Sequence, residues 1–352
     1  MNMLDMKKIK VEDAVGTILA HDMTRIIRGE FKGVAFKKGH VVKKADIPEL
    51  LKIGKQFLYV LELGNDQLHE DDAANRIAQA ICDANFEFSQ PREGKVNITT
   101  KDAGLLKINV DALLQVNKME SIIVATLKNN FPCKKGETIA GTRIIPLTTP
   151  LKNIETLEQF AKYNKHIISF KPYKPLKVGA VVTGSEVYNG LITDDFNPSV
   201  GKKIIDANCT LIKKNLVPDD VKAISNAISD LKDSGCELII TTGGLSVDPD
   251  DVTRQGVLAT GAEEIFYGSP VLPGAMLMIS KLSGITSGIT SDITIVSLPA
   301  CVFYYKHTVF DLVFPRILAG ENITGDDIAA MGHGGLCMNC KVCHYPVCSF
   351  GR

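Results

Sequence analysis

The sequence predicts an α/β protein whose residues 172–318 form a three-layer, mostly parallel sheet with helices on both faces. Three observations predict it. Leu176 to Thr183 and Glu237 to Thr242 are near-continuous apolar runs, the mark of strands buried on both faces. Between them, Asp219 to Lys232 carries Val221, Ile224, Ile228 and Leu231 at helical spacing, so strand, helix and strand alternate as a parallel sheet requires. Upstream, Lys171-Pro172-Tyr173-Lys174-Pro175 is a proline-spaced basic segment of the kind that joins domains, because proline restricts itself and the residue before it.

The remaining elements follow in order along the 352 residues, a length that at ~100–200 residues per domain implies more than one core. Residues 1–65 read as a small α+β module with turns at Arg28-Gly29-Glu30, Phe31-Lys32-Gly33 and Lys38-Gly39-His40 and a helix from Ala45 to Leu51. Residues 66–171 read as a second α+β domain. In it Asp71 or Asp72 is placed to cap a helix from Ala73 to Asp83, with Ile77, Ala80 and Ile81 on one face. Asp111-Ala112-Leu113-Leu114 and the apolar runs Ser121 to Thr126 and Arg143 to Leu147 complete it and suit a mixed sheet with helices, with no catalytic constellation. Within 172–318, Val200 to Ile212 and Cys301 to Leu318 have helical spacing, and residues 319–352 form a cysteine-rich tail.

Composition narrows the function classes. With 45% hydrophobic and 23% charged residues the chain is a globular protein. Forty basic residues balance forty acidic ones, so charge points to no nucleic-acid or membrane partner. Met1 to Lys10 has no apolar signal core, and Ile293 to Tyr305 is shorter than the ~20 residues of a membrane span and contains Pro299. A cytoplasmic location is expected.

Ligands of open parallel sheets bind where strands end and loops lead into helices. Two such loops carry chemistry: Thr183-Gly184-Ser185-Glu186, running on to Asp194, and Thr242-Gly243-Gly244-Leu245-Ser246, running on to Asp248, Asp250 and Asp251. Paired glycines let backbone N–H groups approach an anion, and the Thr242 and Ser246 hydroxyls add neutral donors, which suits a phosphate. A Gly-Gly pair is equally the signature of a tight turn. The carboxylates that follow would repel a phosphate unless a divalent ion such as Mg2+ bridges the two. Alternatively, Asp250 or Asp251 caps a helix starting near Val252, and Glu186 acts as ligand, general base or loop cap.

Taken together, Thr183-Gly184-Ser185-Glu186, Ile192-Thr193-Asp194, Val217-Pro218-Asp219-Asp220 and Thr242 to Ser246 ending in Asp251 resemble, in order and over one whole domain, the molybdopterin-binding domain shared by molybdopterin molybdenumtransferases and adenylyltransferases. Leu272-Pro273-Gly274 and Ser297-Leu298-Pro299-Ala300 stand where that family has two Pro-Gly loops. The resemblance implies that the glycine loop holds the terminal phosphate of molybdopterin or its adenylate, with Asp194 and Asp251 near phosphate and metal. It also implies that molybdate is joined to the dithiolene as the adenylate is hydrolysed, in a homodimer. The chain departs from the family in three places: it has no Met-Asp-Gly-Tyr-Ala type run, Pro299-Ala300-Cys301-Val302 replaces Pro-Gly-Asn-Pro, and a lysine is replaced around Gly274-Ala275-Met276. The missing run leaves a non-catalytic carrier or a redox or metal sensor as the rival. Gly16 to Asp22 and Phe31-Lys32-Gly33 also resemble a subgroup from anaerobic bacteria with the same cysteine-rich ending.

That ending places Cys337, Cys340, Cys343 and Cys348 in a C-x2-C-x2-C-x4-C spacing. Thiolates two residues apart can converge on one metal, either a [4Fe–4S] cluster or Zn2+, the latter with His333 or His344 as alternative ligands. Unligated thiols are the plain alternative. Cys82, Cys133, Cys209, Cys236 and Cys301 are scattered and read as small buried apolar residues.

Overall fold

A computed structural model describes residues 7–27, 31–61, 64, 66–246, 248–286 and 289–351. The chain divides into two compact units, Met1–Asn129 with Cys133–Phe170, and Asn130–Pro132 with Lys171–Arg352.

The second unit is built on six strands: β1 Lys177–Thr183, β2 Thr210–Val217, β3 Leu238–Thr242, β4 Glu263–Tyr267, β5 Met278–Thr286 and β6 Ile289–Leu298, in the order β2-β1-β3-β6-β5-β4. β1 lies parallel to β2 and β3, and β3 to β6, whereas β5 is antiparallel to both β6 and β4. Alternate side chains serve two cores. Val178, Ala180, Leu238, Ile240 and Val296 meet Val200, Ile204 and helix α3 (Val309–Leu318) on one face. Val181, Ile239 and Ile295 meet α1 (Val221–Asp233) and α2 (Thr253–Leu258) on the other. A sheet buried on both faces explains why β1 and β3 read as unbroken apolar runs, each large side chain contributing about 1.5–3 kcal/mol of burial. The three-layer, mostly parallel α/β fold expected for this region is present.

Local departures have local causes. The stretch Val200 to Ile212 does not stay helical. It turns at Asn208, whose φ is 58°, and enters β2, an edge strand whose exposed Lys213 and half-buried Lys214 hide the strand signature. The helix expected over Cys301 to Leu318 breaks after Tyr304, and α3 restarts behind a capping box in which Thr308 Oγ1 accepts from Phe310 N (3.2 Å) and Asp311 Oδ2 from Thr308 N (2.8 Å). The last residues pack onto the same core. Ile323, Ile328 and Phe350 are buried, Arg316 pairs with Glu321 and Asp327 (both 2.7 Å), and helix α4 (Gly325–Ala330) follows.

The first unit carries a small core of Val11, Leu19, Met23, Leu50, Leu58 and Val60, and a four-stranded antiparallel sheet in which Ile122–Thr126, Thr138–Ile144, Lys95–Thr100 and Phe86–Phe88 are neighbours in turn. The expected turn at Lys38-Gly39-His40 forms, with His40 N donating to Lys37 O (3.1 Å). That at Phe31-Lys32-Gly33 is strand instead, because these residues pair with Ile27, Ile26 and Arg25, and Arg28-Gly29-Glu30 lies outside the described residues. Helix Glu70–Ile81 starts earlier than Ala73. Its cap is His69, whose Nδ1 accepts from Asp71 N (3.2 Å), rather than Asp71 or Asp72, because strand Gln67–His69 delivers the chain directly into the helix. The expected helix at Ala45 to Leu51 is a 3-10 turn, Lys44–Asp46, followed by Ile47–Lys52.

Candidate functional site

The C-terminal ends of β1, β3 and β6 open onto a cavity of about 910 Å³. Its floor is the loop after β3. Gly243 (φ 92°) and Gly244 (φ 56°) hold left-handed backbone, and nothing larger fits: a Cβ on Gly243 would lie 2.6 Å from Thr183 O, and one on Gly244 2.5 Å from Thr253 Oγ1. The crowding comes from a hydroxyl bridge beneath the loop. Thr183 Oγ1 donates to Thr242 O (3.1 Å) and shares a hydrogen bond with Thr253 Oγ1 (2.9 Å), while Thr253 N donates to Gly244 O (3.0 Å). From the side, Tyr267 OH donates to Leu245 O (2.8 Å), and the Arg254 guanidinium, held by Glu264 (2.8 Å), covers the Tyr267 ring. Among the described residues, no protein acceptor takes the N–H groups of Gly244, Leu245 and Ser246. Consecutive unpaired N–H groups in a left-handed turn are a concave anion receptor.

Charge on the walls runs the other way. Glu186, Asp219, Asp248, Asp250 and Asp251 line the cavity, joined by Met276, Pro299 and Ala300, and no lysine or arginine is among the lining residues described. Asp250 and Asp251 do not cap α2, whose N-cap is Val252 without a side-chain bond. Asp219 is a wall residue that spacing did not single out. Its Oδ2 accepts from Ser185 N (2.8 Å), and Ser185 Oγ accepts from Asp219 N (3.2 Å), a clasp that ties the loop after β1 to the loop after β2. Five carboxylates around an anion receptor can hold a phosphate only with a cation between them.

Several expected site residues lie elsewhere. Thr242 is wholly buried under the loop, and its hydroxyl has no partner among the described residues. Asp194 does not line the cavity: Oδ1 accepts from Phe196 N (2.8 Å) and Oδ2 forms an ion pair with Lys214, which pins the segment before residue 197 to β2. Pro273 and Gly274 also stay outside. The Gly274 position (φ 132°) is pressed against Val309, 2.4 Å from a Cβ, and Pro273 O accepts from Val309 N (3.1 Å). Leu272 bridges to Leu336, with Cys337 N donating to Leu272 O (2.8 Å). Cys337 and Cys348 pack against the core below α3, Cys340 is exposed, and Tyr345 OH donates to Asp311 O (2.8 Å). Among the described residues, no three His, Cys, Asp or Glu side chains are gathered to hold a metal.

Residues 179–319 match the family described as a probable molybdopterin binding domain. The C-terminal α/β domain is a member of the molybdopterin-binding domain family. Residues 8–62 match a family described as a domain of unknown function. A CinA-like protein of Thermosipho melanesiensis is 33% identical over 85 residues, 24% of this chain and 21% of the relative. A CinA-like protein of Mycobacterium avium is 28% identical over 106 residues, 30% of this chain and 24% of the relative. The chain thus spans about a fifth to a quarter of those relatives' length. Among solved structures, the tungsten cofactor synthesizing protein MoaB of Pyrococcus furiosus overlaps 41% of this chain and 93% of its own at 16% identity, TM-score 0.32. The molybdopterin biosynthesis enzyme MoaB of Thermus thermophilus overlaps 42% and 98% at 16% identity, TM-score 0.32.

Within the molybdopterin-binding domain, the glycine loop and Asp251 line the same cavity, and Asp194 does not. Tyr267 and Met276 were missed, since their link to the loop is a contact across the sheet edge that no spacing encodes. Asp219 lay inside the matching Val217-Pro218-Asp219-Asp220 segment, so a signal for it was present. No described helix is long and apolar enough to cross a membrane.

Proposed function

We propose that the cavity binds molybdopterin or its adenylate by the terminal phosphate, and that the protein joins molybdate to the dithiolene while the adenylate is hydrolysed. The observation that carries this reading is the N–H run of Gly244 to Ser246, without a protein acceptor among the described residues, set among five carboxylates. The carboxylates of the lining would suit Mg2+, which takes one or two carboxylates plus phosphate oxygens. Bound there, the ion offsets the phosphoanhydride charge and makes phosphorus a better electrophile.

The chain's own residues divide the remaining work. The glycine loop receives phosphate oxygens, with the Ser246 hydroxyl a further donor, and the Thr183–Thr253 bridge keeps it in the receptive conformation. Asp251 is the metal-holding carboxylate. Glu186, which lines the same cavity, takes a proton from the attacking water as AMP leaves. Asp194, held by Lys214, acts by positioning its loop. The domain organisation belonging to this reading is 1–65, 66–171, 172–318 and 319–352, in a homodimer.

For the tail cysteines the spacing supports a [4Fe–4S] cluster or Zn2+, but the described side chains are not gathered around one point, and no step is routed through such a group. Metal analysis after anaerobic purification tests it, and finding neither iron nor zinc removes it. The absence of a Met-Asp-Gly-Tyr-Ala run favours a second reading, a carrier that binds without turnover. Anaerobic incubation with adenylylated molybdopterin, molybdate and Mg2+ separates the two. AMP release is the expected result, and saturable binding with no AMP released contradicts catalysis.

A further inference from the structure

The first unit contains a buried carboxylate that has no hydrogen-bond or ion-pair partner among the described residues. Glu70 opens helix Glu70–Ile81, is only 5% exposed, and lines a cavity of about 320 Å³. Among the described residues, no hydrogen bond or ion pair within 4 Å reaches its carboxylate. The adjacent His69 is engaged elsewhere: its Nδ1 accepts from Asp71 N (3.2 Å), and its Nε2 is hydrogen-bonded to Gly39 O (2.6 Å). Burial pushes the Glu70 carboxyl above its ordinary range, against the pull of His69, Lys38 and Arg143.

The surroundings are shaped to this side chain. A Cβ on Gly39 would lie 2.7 Å from Glu70 Oε1, and one on Gly94 2.5 Å from Oε2, so both flanking turns leave room for the two oxygens and no more. Lys37, Lys38 and Arg143 stand around the same cavity with Asp22 and Glu93, and Ile145, Pro146 and Leu147 form an apolar wall. Lys37 pairs with Glu93 at the exposed rim. An unpaired buried carboxylate costs several kcal/mol unless something supplies N–H donors.

We propose that this cavity is a second small-molecule site, for a ligand with a cationic or N–H-rich end that pairs with Glu70 and an anionic end that meets Lys37, Lys38 and Arg143. The ligand's donors take the place that no protein group fills, and its acid group meets the cations at the mouth. Two sources share this chemistry, an aminoheterocycle carrying phosphate and a free amino acid.

Calorimetric titration of the full chain distinguishes them. The probes are guanosine 5′-monophosphate, a phosphorylated aminopterin, an equimolar set of amino acids, and inorganic phosphate as the one-ended control. Saturable binding of one two-ended probe, weakened at least about tenfold by Glu70→Gln and by Arg143→Gln, is the expected result. Glu70→Gln is also expected to leave the unliganded protein as stable or more so at pH 7, because it removes a buried charge. Arg143 is not among the residues lining the carboxylate-lined cavity, so its variant keeps the proposal testable if Glu70→Gln folds poorly. The proposal is overturned if no two-ended probe binds, if inorganic phosphate binds equally well, or if binding is indifferent to both substitutions.

Discussion

Gly243-Gly244 and Gly274 lie in loops that leave one edge of one sheet, after β3 and β4, and each is demanded by a close approach. What crowds them differs. Gly243 and Gly244 are pressed from beneath by Thr183 and Thr253, which leaves the upper side of the loop open to the cavity, with three N–H groups that no acceptor takes among the described residues. Gly274 is pressed by Val309 of α3, and its loop is covered by the C-terminal strand-like segment at Leu336. A glycine in a loop therefore does not announce a ligand. The side from which it is crowded decides whether the backbone faces a partner in the fold or a cavity.

The contrast can be broken by substitution. The largest effect is expected for Gly243→Ala: its Cβ meets backbone rather than a movable side chain, so binding of adenylylated molybdopterin falls below detection, alongside a stability loss of about 1–3 kcal/mol. Retained binding would mean the loop is not the receptor. Asp251→Asn comes next. Mg2+-dependent AMP release drops by roughly 100-fold or more while thermal unfolding stays within a degree or two; unchanged release would move the metal to another carboxylate. Gly274→Ala sharpens the comparison from the other side, destabilising by about 1–3 kcal/mol through overpacking against Val309, with unchanged ligand affinity in the folded fraction. Lost affinity at unchanged stability would make the two loops alike.

The smallest effect concerns the covering segment. Burial raises the Asp327 carboxyl, but hydrogen bonds from Arg316 and Thr324 outweigh this and hold it at about 2, below its ordinary 3.8. A depressed carboxyl stabilises above its unfolded pKa, and the contribution is lost as pH falls through the folded one. Denaturation between pH 4.5 and 2 is expected to show about 1 kcal/mol more loss in the native protein than in Asp327→Asn, a figure reduced for the partial exposure of the pair. Identical pH profiles would remove this anchor.

How much of this was legible beforehand depends on what each residue touches. β1, β3 and α1 were readable because burial on two faces, or on one stripe, writes itself into consecutive residues. β2 was not, because an edge strand interleaves Lys213 and Lys214 with its apolar positions. The Gly243-Gly244 loop was readable because its left-handed backbone leaves two consecutive glycines in the sequence. Asp194 was misleading, since its sequence position suits a ligand while Lys214, brought alongside by the parallel pairing of β1 and β2, occupies it. Glu70 was invisible for the opposite reason: an acid in the first turn of a helix reads as an ordinary favourable charge, and only the fold reveals that the side chain is buried at the wall of a cavity.

The central claim is that an acidic cavity accepts a phosphate because a divalent ion stands between the two. Equilibrium binding of adenylylated molybdopterin, measured anaerobically with Mg2+ and again with excess chelator, tests it most directly. The account predicts binding weakened at least about 100-fold by the chelator in the native protein, with Asp251→Asn insensitive to Mg2+. Tight binding that is equal with and without the ion would contradict it.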